Sequence, residues 1–414
     1  MKQEILSNLN NPAQLERLYR TDKPAFKQAF NALYPEHKDS SLTSFWNERL
    51  NFVKEEISWG TSKDLAFVIV ASLLAGLIAK LPFLLHIDEE LFYTRNAGFV
   101  VFPFLSAFFA WKNKLSAVEL VSVAGAFLFG IIFINYLPYN QESDSIVLSC
   151  IHLLLILWFV TGFAFVDGRK NNLEKRLGYL RFNGDLLVMT ALIVIAGGLM
   201  TGITLGLFSL IGFNIEKFYF SYVVIFGLPA APLLGTYLTQ TNPQLVGKVS
   251  PVIARIFSPL VLVMLVIYLV AILFSGKNPY NDREFLLIFN ALLVGVMAIV
   301  FFSVAEASKT AKTRVESWIL FLLAGVTILV NAIALSAIVF RIAEWGLTPN
   351  RAAVLGSNTL IFINLLWVTV LLLRAASKKG DVAAVGKAIA YYLPVYFIWA
   401  LIVTFLFPFL FGFK

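Results

Sequence analysis

The sequence predicts an all-α protein that crosses a membrane many times, a polytopic transmembrane helical bundle preceded by a small soluble helical region. Three observations predict this class. Of the 414 residues, 59% are hydrophobic and only 14% are charged, whereas a soluble domain is about half apolar and about a quarter charged. Apolar runs of about 18 residues or more recur along the chain, and each is long enough to span a bilayer as a helix. Residues 1–60, by contrast, are polar.

The N-terminal region, residues 1–60, is predicted to be a cytoplasmic bundle of short helices. Asn11 precedes a proline, which is the pattern of a helix cap followed by proline in the first turn. Phe26, Phe30, Leu33 and Tyr34 recur at helical spacing and form an amphipathic stripe. Such a stripe is typical of packing within the bundle or onto the membrane face, and also of docking a cytoplasmic protein partner.

About eleven membrane-spanning helices are predicted in the rest of the chain. They cover residues 65–85, 97–111, 115–137, 145–166, 185–212, 218–238, 253–274, 285–306, 318–342, 353–373 and 388–412. Residues 61–166 form the first membrane helix group and residues 185–414 the second. The basic cytoplasmic loop between them, 167–184, is the predicted joint.

Two spans carry small or helix-breaking residues. Gly198, Gly202 and Gly206 are spaced by four and lie on one helix face, the pattern that lets membrane helices approach closely. Pro229 and Pro232 interrupt the backbone hydrogen bonds of the sixth span. Prolines there are typical of a kink, and also of the broken helices in which transporters build binding sites.

The distribution of basic residues predicts the orientation. Alternate loops, beginning with the N-terminal region, hold about 25 Lys and Arg, and the opposite loops hold about 7. The positive-inside rule therefore places the N-terminus in the cytoplasm and the C-terminus outside. The net charge of +8 is explained by these loops, so no nucleic-acid partner is predicted.

The motifs of common enzyme classes are missing from the sequence. It has one cysteine, Cys150, and three histidines without an HExxH pair, and it contains neither a GxxxxGK[ST] loop nor a GxSxG elbow. We therefore expect no metal ion, no cofactor and no ATP hydrolysis. A lipid-processing enzyme that uses loop carboxylates and arginines is not excluded.

Polar residues on the predicted extracytoplasmic side form the candidate ligand site. The candidate ligand-binding residues are Lys80, Asp282, Arg283, Asn290, Arg341, Glu344, Arg351 and Asn358. Arg341 and Glu344 are three residues apart and can pair on one helix face. Arg351 and Asn358 are seven apart and also share a face. Because ionisable groups within the membrane are costly and usually face the protein interior, we expect an outward-facing polar pocket here.

Structural roles stay open for most of this set. The Lys80 side chain could extend to the membrane surface, and the asparagines could hydrogen-bond between helices. Arg341 and Glu344 could order a turn, and Trp345 fits an aromatic anchor at the membrane interface.

Three stretches carry a resemblance to a known family: NPYNDRE at 278–284, EWGLTPNR at 344–351 and VLGSNTLIFINLLW at 354–367. With these, and with ISWG at 57–60, the sequence resembles an uncharacterised family of bacterial polytopic membrane proteins, catalogued as domain of unknown function 4153. The resemblance covers the membrane region, most clearly its last third. It implies a protein of the bacterial inner membrane, and it implies no activity and no site residues.

Three functions are compatible with these features. The leading hypothesis is a transporter or flippase-like protein, surrounded by membrane lipids, that binds a small-molecule or lipid-like ligand in the outward-facing pocket. The first alternative is a non-enzymatic scaffold or signalling module, which would lose partner capture on deletion of residues 1–60. The second is an enzyme that modifies an envelope lipid or glycan, for which Asp282, Glu344 or Asp88 would be indispensable.

Overall fold

The chain forms two compact units, Met1–Ser58 and Trp59–Lys414. The computed structural model describes residues 1–37, 40–51, 60–138, 140, 142–168, 172–211, 213–246, 249–274, 280, 283–307, 314–377 and 380–414. These residues are largely helical and include no β-strand. The all-α class predicted from the sequence is therefore confirmed.

Short helices around one aromatic core make up the N-terminal unit. They are α1 Lys2–Ser7, α2 Pro12–Thr21, α3 Lys23–Leu33 and α4 Ser41–Asn51. The Asn11 side chain accepts a hydrogen bond from the backbone of α2, as its cap position predicts. Phe26, Phe30 and Leu33 are buried together with Trp46. The amphipathic stripe therefore packs inside this unit.

A charged network ties α2 to α4 on the surface of this unit. Arg20 Nε donates a 2.9 Å hydrogen bond to Glu16 Oε1, and Arg49 Nη2 lies 3.0 Å from Glu16 Oε2. The hydrogen bond from Arg20, followed by the charge of Arg49, holds the pKa of the Glu16 carboxyl below its ordinary 4.5.

Long helices make up the second unit. They are α5 Ser62–Leu85, α6 Glu89–Lys112, α7 Ala117–Tyr136, α8 Asp144–Phe165, α9 Leu173–Leu210, α10 Glu216–Tyr219, α11 Ile225–Thr241, α12 Pro243–Val246, α13 Val249–Phe274, α14 Arg283–Ala307, α15 Arg314–Trp345, α16 Pro349–Ala376, α17 Val382–Phe405 and α18 Phe407–Leu410. Nine helical stretches in the described part of the chain are long and apolar enough to cross a membrane. The protein is therefore a multi-pass integral membrane protein.

Two of the predicted spans are not among these nine. The second lies in α6, which has 24 residues and is longer than predicted, but Glu89, Glu90 and Arg95 make its first turns polar. The seventh lies in α13, of which Ile256–Ile267 is the described apolar stretch. The number of crossings, predicted as about eleven, stays a prediction.

The segment predicted as a basic loop, 167–184, is mostly helix. Helix α9 begins at Leu173, capped by the Asn172 side chain, and continues for 38 residues. Its basic residues are compatible with a packed helix because carboxylates neutralise two of them. Lys175 Nζ lies 3.1 Å from Asp167 Oδ2, and Arg181 Nε lies 3.2 Å from Glu306 Oε1.

The start of α9 joins two groups of helices. Leu177 and Leu180 are buried in a core formed with α13, α14, α15, α16 and α17. Tyr179 and Phe182, on the other side of the same helix, are buried in a core formed with α5, α6, α8 and α11. The segment predicted as the joint therefore contributes side chains to both cores.

The second half of α9 makes few contacts within the protein. At Gly198, Gly202 and Gly206, no described neighbour lies within 4 Å of where a Cβ would be, so the predicted close helix approach does not occur among the described residues. Helix α11 continues without a break through Pro229 and Pro232. The irregular part of this span is a π-helical segment, Phe220–Val224, which comes directly before α11. The sixth span is therefore irregular at its start and is not broken at its prolines.

A pair of glycine substitutions tests this packing. Gly356→Ala places a Cβ against the Trp399 ring, so we expect a loss of about 1–3 kcal/mol in the free energy of unfolding through overpacking. In Gly202→Ala the added Cβ has no neighbour within 4 Å. The substitution also removes the flexibility of a helical glycine, so we expect no loss in the free energy of unfolding. Reversible unfolding in mixed micelles measures both. Equal losses would contradict the packing described.

Candidate functional site

The structure divides the predicted ligand-binding residues between two groups of helices. Lys80 lies on α5, which packs against α6 and α11. The other candidates that the structure describes lie on three helices that pack against one another. They are Asn290 on α14, Arg341 and Glu344 on α15, and Arg351 and Asn358 on α16. Asp282 and the side chain of Arg283 lie outside the described residues.

Lys80 is enclosed by aromatic rings. Its side chain is only 6% exposed, and its Nζ lies 3.0 Å from the centroid of the Tyr222 ring and 5.4 Å from that of Phe83. Tyr222 belongs to the π-helical segment, Phe220–Val224. The ammonium group is therefore stabilised by cation–π contact within the protein, and it does not extend to the surface.

Two arginines hold the turn between α15 and α16. Arg351 Nη1 donates to the carbonyl oxygens of Trp345 (2.8 Å) and Gly346 (2.6 Å). Arg341 Nε donates to the carbonyl of Tyr280 at 2.9 Å. Both guanidinium groups lie over the Trp345 ring, 5.4 and 5.7 Å from its centroid. These contacts account for an ordered turn.

The predicted pairing of Arg341 with Glu344 does not occur. Both residues are described, and no ion pair joins them. Glu344 is exposed, whereas Arg341 is buried against its aromatic neighbours. The three-residue spacing was correct for a shared helix face, but the side chain of Arg341 turns towards Tyr280 and Trp345.

Asp88, the carboxylate considered for an enzyme, caps α6 by accepting a hydrogen bond from the Leu91 backbone N–H.

A chain of amide hydrogen bonds joins α14, α15 and α16. Asn331 Nδ2 donates to the Asn358 carbonyl at 3.0 Å, and Asn358 Nδ2 donates to Asn290 Oδ1 at 2.8 Å. Asn358 and Asn290 are thus brought together, in the interhelical role that the sequence left open. Asn364 is also buried on α16, and its side-chain amide has no hydrogen-bond partner within the described structure.

A cavity of about 450 Å³ lies elsewhere, between α7, α8, α9 and α17. We call it the aromatic cavity because its walls include Trp158, Phe159, Phe163, Tyr179 and Phe397. None of the predicted ligand-binding residues contributes to it. It lies towards the start of α7, the end of α8 and the start of α9, the ends that the charge distribution predicts to be cytoplasmic.

Hydrogen bonds fix the wall between α8 and α9. The Tyr179 hydroxyl donates to the Trp158 carbonyl at 2.7 Å, and Trp158 Nε1 donates to Asn183 Oδ1 at 2.8 Å. Gly162 allows the Tyr179 ring to approach, since a Cβ there would lie 2.7 Å from the ring. The two largest rings of the wall are therefore held in place before any ligand binds.

A proline in α17 shapes the opposite wall. Pro394 lines the cavity and has no backbone N–H, so the carbonyl of Ala390, four residues earlier, loses its helical donor. Arg176 Nη1 lies 3.4 Å from that oxygen. Arg176 itself lines the cavity, and it is the cationic member of an otherwise largely apolar and aromatic wall.

Sequence reasoning missed this site because its residues come from four distant segments. The basic segment around Arg176 was recognised, but its charge predicted a solvated loop. The other feature of the sequence that could have indicated the cavity is Pro394, a proline within a predicted span. Within the described residues, no group of three His, Cys, Asp or Glu side chains could hold a metal ion.

Comparison with known proteins assigns no relative. No protein-family model matches the chain, and no significant match is found among curated proteins or solved structures. The function must therefore be inferred from the site, since fold class alone does not determine it.

The amide chain can be tested by a double-mutant cycle. We expect Asn290→Leu and Asn358→Leu to show a coupling of about 0.6 kcal/mol in the free energy of unfolding, the usual size for a hydrogen bond between membrane helices. Asn364→Leu, on the same helix but without a bond to Asn290, is the matched control and should show no coupling. Coupling of Asn290 to Asn364 but not to Asn358 would contradict the observed bond.

Proposed function

We propose that this integral membrane protein is a transporter or flippase-like protein that binds a lipid-like ligand in the aromatic cavity. The cavity itself is the observation that carries the proposal. Its volume of about 450 Å³ falls within the range of roughly 300–1,000 Å³ typical of small-ligand sites. Its mostly apolar wall suits a hydrocarbon or aromatic group, and one cation suits a polar headgroup.

The location of the cavity supports movement of the ligand. Under the predicted orientation it lies in the cytoplasmic half of the membrane, among helices that lipid can reach. Pro394 also removes one backbone hydrogen bond from α17, which makes this helix easier to bend beside the cavity. A ligand taken from the inner leaflet could therefore be enclosed and released.

The predicted outer residues support this function less. Arg351 is held by two carbonyl groups, and the amide of Asn358 bonds to Asn290. These contacts alone explain Arg351 and Asn358, as residues that hold a turn and join two helices. The outward-facing pocket with its eight residues stays a prediction, and the bacterial inner membrane stays the proposed location.

Filling the cavity tests the proposal. Ala126 lines the cavity on α7, whereas Ala124 lies on the exposed face of the same helix. In proteoliposomes, we expect Ala126→Phe to abolish protein-dependent movement of a fluorescent single-chain lipid between leaflets, measured by quenching of the outer leaflet. Ala124→Phe should retain the wild-type rate.

Two results would reject the proposal. One is a wild-type protein that moves the fluorescent lipid no faster than protein-free liposomes across probes with different headgroups. The other is equal activity of Ala126→Phe and wild type, provided that the variant melts at the wild-type temperature.

A further inference from the structure

The start of α9 carries three cations whose surroundings differ. Lys175 Nζ lies 3.1 Å from Asp167 Oδ2, and Arg181 Nε lies 3.2 Å from Glu306 Oε1. Arg176, between them, has no carboxylate within ion-pair distance among the described residues. It is also the cation of the three that lines the aromatic cavity. Among the described residues, the charge that faces the cavity is thus the one without a carboxylate at ion-pair distance.

The contacts of Arg176 leave most of its hydrogen-bonding capacity unused. A guanidinium group has five N–H donors in a planar fork. The described contact of this group is the long one, 3.4 Å, to the carbonyl that Pro394 leaves without a helical donor. That contact orients the side chain beside the cavity without neutralising its charge.

We infer that Arg176 binds the phosphate or carboxylate headgroup of an anionic amphiphile whose apolar part occupies the aromatic cavity. This inference rests on the proposed function, because it takes the cavity to be the ligand site. The planar fork of arginine matches both anions and can bind either through two parallel hydrogen bonds. The rings of Trp158, Phe159, Phe163 and Phe397 then exclude water from the apolar part.

A cationic headgroup is the main competing class. Aromatic cages bind quaternary ammonium groups through cation–π attraction, and this cavity has several rings. A guanidinium without a described carboxylate at ion-pair distance repels a second cation, however, and the partial burial of Arg176 reduces screening by solvent. The anionic class is therefore favoured over the cationic class, and a zwitterionic headgroup, whose phosphate charge is balanced by an ammonium group, should bind less tightly than an anionic one.

The test compares headgroups on one apolar chain. Full-length protein in nanodiscs of neutral phosphatidylcholine is titrated with a fatty acid, a lysophosphatidic acid and a lysophosphatidylcholine of equal chain length, and with inorganic phosphate. Arg176→Gln is compared with Lys175→Gln, which removes one positive charge from the adjacent position, outside the cavity. Arg176→Lys keeps the charge but removes the fork.

We expect wild type to bind both anionic lipids about tenfold more tightly than the zwitterionic lipid, the size of one charge-assisted hydrogen bond. Arg176→Gln should remove this preference and change the affinity for the zwitterionic lipid much less than the affinity for the anionic lipids. Arg176→Lys should keep part of the preference, and Lys175→Gln should keep all of it. Inorganic phosphate alone should not compete, since it lacks the apolar part.

Several outcomes would overturn the inference. Equal effects of Arg176→Gln and Lys175→Gln would assign the preference to general surface charge, and competition by inorganic phosphate would assign it to a free anion. If Ala126→Phe weakens every lipid but wild type shows no headgroup preference, the inference fails and the proposed cavity stands. If Ala126→Phe changes no affinity, both fail.

Discussion

The bond between the Tyr179 hydroxyl and the Trp158 carbonyl, 2.7 Å long, lies where two groups of helices meet. Around it, the first turns of α9 bury Leu177 and Leu180 in one core and Tyr179 and Phe182 in another. Helices α8, α11, α13, α14 and α17 all contact α9. Withdrawal of the start of α9 would expose apolar surface in both cores, so its burial stabilises each of them.

The same segment builds the cavity, which explains why fold and site are coupled. Trp158 and Tyr179 belong both to the contact between α8 and α9 and to the cavity wall. Pro394 lines the opposite side and leaves the Ala390 carbonyl, near Arg176, without its helical donor. The cavity between these two walls can therefore select a ligand by its shape and, through Arg176, by its charge.

The sequence predicts those parts of the fold that depend on local composition. Long apolar runs mark most of the spanning helices, and Asn11 marks a helix cap, because lipid and backbone geometry act on each segment separately. It does not predict features that depend on distant partners. Arg181 is compatible with a packed helix because of Glu306, and Lys80 is enclosed because of Tyr222. Spacing on one helix could not reveal either partner, and for the same reason the cavity was not predicted.

Hydrogen exchange at the start of α9 tests the central claim most directly. The full-length protein in lipid nanodiscs is incubated in deuterated buffer, and peptides covering residues 176–183 are compared by mass spectrometry with peptides from the middle of α8. If these turns are a buried helix between two helix groups, their amides will exchange as slowly as those of α8. Complete exchange at the earliest time points, as in a solvated basic loop, would contradict the account.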